Sequence, residues 1–209
     1  MRKNLLKQII ALVALAAAFV LVSYLAHTFK AQLGDIVQAG GVIGVFGFVA
    51  LTAVFVVFVI PLDIVFLIPI GVVVWGPVPT AFMSIIGWTL GAAVAFSIAR
   101  VFGGGVVGRL IGLSRVQAIE RRIPKQNLFG MVVVLRMLVS VDILSYALGL
   151  FSTMPWKQYV FATLLGVTPF GFYFAFAGTL PLWYQVAAIG IAVVLASAII
   201  LIYGMRREL

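Results

Sequence analysis

The 209-residue sequence has no cysteine, a single histidine and very little charge. Without cysteine there are no disulfides, thiolate metal sites or cysteine nucleophiles. With His27 as the only histidine, a Ser-His-Asp triad and a histidine metal cluster are excluded as well. No other hydrolytic or phosphoryl-transfer constellation takes their place. We therefore predict that the protein is not an enzyme and uses neither a metal nor another cofactor.

Charge is scarce as well, because only 9% of the residues are charged whereas 65% are hydrophobic, with a mean hydropathy of +1.27. A soluble domain has roughly a quarter of its residues charged. The composition predicts an all-α polytopic membrane protein with a single membrane domain over residues 1–209. The net charge of +9 comes from basic residues at the ends of apolar runs. This pattern is typical of anchoring to anionic lipid, and we expect no binding to nucleic acid.

Seven apolar runs divide the chain. They cover residues 6–26, 41–60, 64–76, 80–99, 128–156, 158–180 and 183–203. A hydrocarbon core of about 30 Å requires about 20 helical residues, and most of the runs meet that length. The run 64–76 is too short to span, and 128–156 is too long and contains Arg136 and Asp142. We interpret these two exceptions as parts of helical hairpins.

The basic residues predict the orientation of the chain. They cluster before the first span, in a central loop over residues 100–127, and after the last span. All three clusters should be cytoplasmic, with both termini inside and the loop between His27 and Gly40 outside. We expect an integral membrane protein of the prokaryotic plasma (inner) membrane.

This orientation fixes whether each segment crosses the membrane an odd or even number of times. An N-terminal span and interfacial loop (1–40) precede a hairpin plus span (41–99), and a second hairpin plus span (128–180) precedes the C-terminal span (181–209). The two hairpins enter from opposite sides, which indicates an inverted repeat of re-entrant hairpins. Asp63-Ile64 and Asp142-Ile143 hold matching places in them, and Gly87 and Gly166 each follow 24 residues after their aspartate.

Three ionisable residues lie within the apolar hairpins: Asp63, Arg136 and Asp142. Such residues cost roughly 2.5–3.5 kcal/mol each at the bilayer centre, so they mark functional sites or ion pairs. Arg136 should have a carboxylate partner, and either aspartate could serve. One hypothesis is a pair that only locks the hairpins together. The other is a gated polar path in which a carboxylate is protonated or binds a lipid headgroup.

Prolines, glycines and one tyrosine complete the set of candidate residues. We expect the hairpins to be broken or shaped by Pro61, Pro69, Gly71, Tyr146, Gly149 and Pro169. Close helix packing is predicted at Gly87, Gly91, Ala95 and Gly166, since small residues at four-residue spacing let backbones approach. A G-x-G-x-x-G match beginning at Gly103 follows no predicted strand, so we interpret it as a loop rather than a dinucleotide site.

These residues resemble a known family. Pro61-Leu62-Asp63, Trp75-Gly76-Pro77 and the small residues from Gly87 to Arg100 are similar to the first half of the VTT domain of the DedA superfamily, also called SNARE-associated Golgi proteins. Arg136, the segment from Asp142 to Leu150, and Gly166-x2-Pro169 are similar to its second half. The resemblance covers about residues 41–180.

The resemblance implies two facing re-entrant hairpins and lipid scrambling or flipping, since related members act on phospholipids or polyprenyl-phosphate carriers. It places Asp63 at the acidic position of the first hairpin and Arg136 at the arginine of the second. Asp142 matches an Asp or Asn of one branch and replaces the second arginine of the bacterial DedA branch. Val139 and Ser140 replace prolines, and Leu62 replaces a small residue. Proton coupling is therefore left open.

We predict a lipid transporter or scramblase with a polar groove between the hairpins, lined by Asp63, Arg136 and Asp142. Its partners would be membrane lipids, anionic phospholipid headgroups and protons, and a homo-oligomer is left open. The alternatives are a proton-coupled carrier of a small solute and a non-transporting membrane scaffold. The sequence leaves open which lipid or solute is moved and which aspartate pairs with Arg136.

Overall fold

The computed structural model describes residues 2–60, 66–111, 128–138, 141–181, 183–184 and 187, and every regular element within these ranges is helical. The seven helices are α1 (Arg2–Thr28), α2 (Lys30–Phe58), α3 (Ile68–Trp75), α4 (Pro77–Ile111), α5 (Leu128–Leu138), α6 (Val141–Phe151) and α7 (Trp156–Ala177).

Three helical segments are long and apolar enough to cross a membrane: Gly41–Phe58, Pro77–Gly103 and Trp156–Ala177. They coincide with the predicted runs 41–60, 80–99 and 158–180. The prediction of an all-α membrane protein is thereby confirmed for the described residues. Helix α1 covers the predicted first run, whereas most of the predicted last run, 183–203, lies outside the described residues.

The described parts of two predicted loops are helical. The predicted outer loop before Gly40 forms the first part of α2, and the helix bends at Gly41, whose φ of 47° and ψ of −127° are not helical. Helix α4 continues to Ile111, with a similar bend at Gly103 (φ 67°, ψ −166°). Glycine adopts positive φ without a steric penalty, so each bend joins two helical segments. Residues 112–127 of the central loop lie outside the described part.

The first hairpin region is shaped by local breakers. Helix α2 ends at Phe58 and is capped by Val59, which adopts a left-handed conformation (φ 59°) two residues before Pro61. Pro69 lies in the first turn of α3, where a missing backbone donor is tolerated. Gly76 (φ 85°) ends α3, and Pro77 begins α4. The helix α3 between these features is eight residues long, and residues 61–65 before it lie outside the described residues.

Helix α4 is the central helix, since α2, α3, α6 and α7 all pack on it, while α5 packs mainly on α7. Gly91 brings α2 close, because a Cβ at this position would lie 2.6 Å from the Ala53 carbonyl oxygen. On α6, a Cβ at Gly149 would lie 2.5 Å from the Phe96 carbonyl oxygen. Ala95 is completely buried between these contacts. The small residues therefore allow α2 and α6 to lie against α4 at backbone distance.

Candidate functional site

Arg136 is a buried cation, with only 3% of its surface exposed. It lies in the last turn of α5. Helices α5 and α6 have eleven residues each, so each rises only about 16 Å, roughly half of a hydrocarbon core. Residues 139–140, between these two segments, lie outside the described residues. Arg136 is three residues before them.

The guanidinium group of Arg136 donates to three hydroxyl groups. Its Nη2 lies 2.7 Å from the phenolic oxygen of Tyr159 and 2.9 Å from Oγ1 of Thr163. Both Nη1 and Nη2 lie 3.3 Å from Oγ of Ser145 on α6. Tyr159 and Thr163 are one turn apart on α7, so they form a single acceptor surface. All three hydroxyl residues are fully buried.

Gly166 provides the space for the arginine stem. A Cβ at Gly166 would lie 2.7 Å from Cβ and 2.9 Å from Cγ of Arg136. It would also lie 3.3 Å from the carbonyl oxygen of Val133, one turn earlier on α5. Tyr159, Thr163 and Gly166 therefore form one face of α7 that receives Arg136.

A line of stacked groups connects this site to another arginine. The ring of Tyr159 stacks on Phe96 of α4, with centroids 4.0 Å apart and an interplanar angle of 17°. The guanidinium carbon of Arg100 lies 4.3 Å from the Phe96 ring centroid. Because Tyr159 occupies one face of Phe96, Arg100 covers the other. The stacked order is Tyr159, Phe96 and Arg100.

Arg100 also caps the carboxyl end of α6. It donates to the carbonyl oxygens of Gly149 (3.4 Å), Ser152 (2.5 Å) and Met154 (2.7 Å). The last carbonyl groups of a helix have no partners within the helix and carry partial negative charge, so a cation there is favourable. Arg100 thus fixes the end of α6 to α4.

Tyr146 joins α6 to the end of α2. Its hydroxyl donates to the carbonyl oxygen of Val57 at 2.6 Å, in the last turn of α2. Helix α6 therefore lies against the end of α2, six residues before Asp63 in the chain. The tyrosine satisfies a carbonyl group that the end of α2 leaves without a helical partner.

The structure places the other candidate residues as follows. Asp63 and Pro61 lie outside the described residues, and only the backbone of Asp142 is described, at the second position of α6. A carboxylate partner for Arg136 therefore stays a prediction. A Cβ at Gly71 would lie 2.8 Å from Cγ2 of Thr80, and Pro169 is an exposed residue inside α7.

Sequence reasoning did not single out Tyr159, Thr163 or Arg100 as site residues, and it quoted Ser145 only within the family motif. The spacing of Tyr159, Thr163 and Gly166 at i, i+4 and i+7 defines one helical face. This polar face on an apolar helix is the feature of the sequence that indicates hydroxyl partners for Arg136. The sequence analysis considered only carboxylate partners.

The arrangement is suited to binding an anion. A guanidinium group offers several N–H donors in a planar fork that matches phosphate. Each hydroxyl can accept from the arginine and can donate to an incoming oxygen. No group of three or more His, Cys, Asp or Glu side chains that could hold a metal occurs in the described part of the chain.

The model of the VTT domain, the domain of DedA and SNARE-associated Golgi proteins, matches residues 60–180. The match covers more than half of the chain and includes helices α3 to α7, with Arg136 and its hydroxyl partners. Comparisons with curated proteins and with solved structures gave no match.

Proposed function

Because the chain belongs to the VTT-domain family, we propose that it moves phospholipid or polyprenyl-phosphate headgroups across the bilayer. The observation that carries the proposal is Arg136, a cation buried among three hydroxyl groups in an apolar helical protein. Buried charge is retained in a membrane at substantial cost, which favours a role in the movement of a charged group. Family membership alone would not specify an activity.

We further propose that the α2–α3 and α5–α6 pairs are re-entrant hairpins of an inverted repeat. The described helix α3 has eight residues and ends at Gly76, which supports this topology, since about 20 helical residues are needed to span a bilayer. The hydrogen bond from Tyr146 to Val57 supports a meeting of the two hairpins. Irregular backbone at membrane depth requires protein or water around it, and a polar groove between the hairpins would supply both.

In the proposed mechanism, the lipid phosphate replaces the hydroxyl groups of Ser145 and Thr163 as a partner of Arg136. These two hydroxyls then turn and donate to the phosphate oxygens, while Tyr159 keeps its bonds to Arg136 and to the Ala92 carbonyl oxygen. The acyl chains stay in the surrounding bilayer while the headgroup moves through the groove. Asp63 and Asp142 hold the headgroup or gate its movement by protonation. The protein has no enzymatic step and needs no cofactor in this mechanism.

The proposed setting is the prokaryotic plasma membrane, with both termini in the cytoplasm. Basic residues at the ends of the apolar runs support this orientation and contact with anionic headgroups.

Fluorescent-lipid translocation in proteoliposomes tests the proposal. We expect the double variant Asp63→Asn, Arg136→Ala to lose translocation. The matched control is Asp35→Asn, Lys157→Ala, which removes the same two charges from exposed positions and should keep the wild-type rate. Unchanged translocation in the first variant would refute the mechanism.

The same vesicles separate the two alternative functions. Proton uptake that accompanies entry of a solute, without lipid movement, would identify a solute carrier. Full biological activity after neutralisation of Asp63, Arg136 and Asp142, with the fold retained, would identify a scaffold.

A further inference from the structure

Tyr159 occupies a position between Arg136 and the central helix. Its phenolic oxygen accepts a hydrogen bond from Arg136 at 2.7 Å and lies 3.1 Å from the carbonyl oxygen of Ala92 on α4, to which it donates. A phenol has one hydrogen to donate and lone pairs to accept, so both bonds are made at once. The directions are fixed, because guanidinium has no acceptor and a carbonyl oxygen has no donor.

The ring of Tyr159 is held independently of its hydroxyl. It is completely buried and stacks on Phe96, which Arg100 covers on its other face. Such stacking contributes about 0.5–1.5 kcal/mol beyond the buried area, and phenylalanine could provide it equally well. Packing therefore explains why an aromatic ring is buried here, but it does not explain why the ring carries a hydroxyl group.

We propose that Tyr159 is a positioning residue that sets the direction of the Arg136 guanidinium for headgroup capture. This inference rests on the proposed function for the identity of the captured group. Arg136 belongs to α5, which packs mainly on α7. Its guanidinium group lies at the end of a flexible side chain, so other residues have to fix the direction in which it points. The hydroxyl of Tyr159 links the guanidinium group to the backbone of α4, the helix on which most of the others pack.

The other two hydroxyls that accept from Arg136 lie at other positions, Thr163 one turn along α7 and Ser145 on α6. Tyr159 is the hydroxyl whose described bonds link the arginine to the backbone of α4. Loss of its oxygen should therefore change the guanidinium direction while leaving the helix contacts in place.

The substitution Tyr159→Phe removes one oxygen and keeps the stacked ring. Tyr173→Phe is the matched control, because it makes the same change on the same helix at an exposed position. The first readout is the NMR signal of the Arg136 guanidinium in ¹⁵N-arginine-labelled protein in nanodiscs, assigned by its disappearance in Arg136→Lys. We expect this signal to shift in Tyr159→Phe and to stay in place in Tyr173→Phe.

The second readout is lipid translocation by the same variants. If the hydrogen bond between Tyr159 and the charged Arg136 is needed in the rate-determining step, its loss should lower the translocation rate about tenfold. We expect Tyr159→Phe to slow translocation by about that factor and, because a buried N–H of Arg136 loses its acceptor, to lower the melting temperature while keeping the fold. Tyr173→Phe should match the wild type in both.

The two readouts distinguish failure of the inference from failure of the proposed function. An unchanged Arg136 signal in Tyr159→Phe overturns the positioning role, whatever the lipid assay shows. A shifted signal with an unchanged translocation rate overturns it as well, because the direction of Arg136 would then not matter for capture. A shifted signal together with a wild-type protein that moves no lipid supports the positioning of Arg136 and refutes the proposed function.

Discussion

Replacing Gly166 with alanine would place a methyl group against the side chain of Arg136. The new Cβ would lie 2.7 Å from Cβ and 2.9 Å from Cγ of the arginine, and 3.3 Å from the Val133 carbonyl oxygen. Carbon atoms pack at about 3.5–4.0 Å, so α5 would have to retreat from α7 by about 1 Å. A movement of the Arg136 side chain alone would not relieve the contact, because the Val133 carbonyl oxygen also lies close to the new methyl group.

This retreat has two expected consequences. Overpacking of this kind costs about 1–3 kcal/mol, partly offset by the roughly 1 kcal/mol that alanine gains over glycine inside a helix. We therefore expect a net loss of stability of up to about 2 kcal/mol. The bonds from Arg136 to Tyr159 and Thr163, now 2.7 and 2.9 Å, would also lengthen towards 3.5 Å or more. Translocation should fall more steeply than stability, because these bonds direct the charge.

The assay combines heat unfolding in detergent, followed by tryptophan fluorescence, with lipid translocation in proteoliposomes. Gly47→Ala is the control, since a Cβ at that position of α2 has no atom within 4 Å. It should leave translocation unchanged and raise stability by at most about 1 kcal/mol. If Gly166→Ala behaved like Gly47→Ala in both measurements, the close approach of α5 to α7 at Arg136 would be refuted.

Three further predictions follow from other contacts. Tyr146→Phe should lower the free energy of unfolding by about 1–3 kcal/mol, because the Val57 carbonyl loses its 2.6 Å donor; an unchanged melting curve would contradict this. Arg100→Lys should lower stability by about 1–2 kcal/mol, since an ammonium group cannot bond three carbonyl oxygens in the planar arrangement of the guanidinium; heat unfolding measures the loss, and wild-type stability would argue against the cap. In a chain without cysteine, Ser114→Cys should react with an impermeant maleimide only from the cytoplasmic side and Gln32→Cys only from the outside; the reverse pattern would refute the proposed orientation.

The long helices were predictable because nothing competes with a run of about 20 uncharged apolar residues in a bilayer. A hairpin over 128–156 stays a prediction, made because its length and its arginine argue against a simple span. The continuation of helix α4 beyond Gly103 was not predicted. A glycine can bend a helix or end it, and the sequence alone does not distinguish these outcomes.

The hydroxyl partners of Arg136 were hidden for a different reason. Serine and threonine in apolar helices commonly bond the carbonyl four residues earlier, as Thr80, Thr89, Ser97 and Thr168 do here. Thr163 looks the same in the sequence, but its hydroxyl accepts a hydrogen bond from Arg136. Only the packing of α5 on α7 separates the two roles.

The most direct test of the account is the rate at which an anionic fluorescent lipid crosses proteoliposomes that contain Arg136→Gln. This variant keeps a polar side chain towards the hydroxyls but removes the buried positive charge. Lys157→Gln, which removes an exposed positive charge on α7, is the matched control. The account predicts that Arg136→Gln falls to the rate of empty vesicles while Lys157→Gln keeps the wild-type rate. A wild-type rate in Arg136→Gln would contradict it.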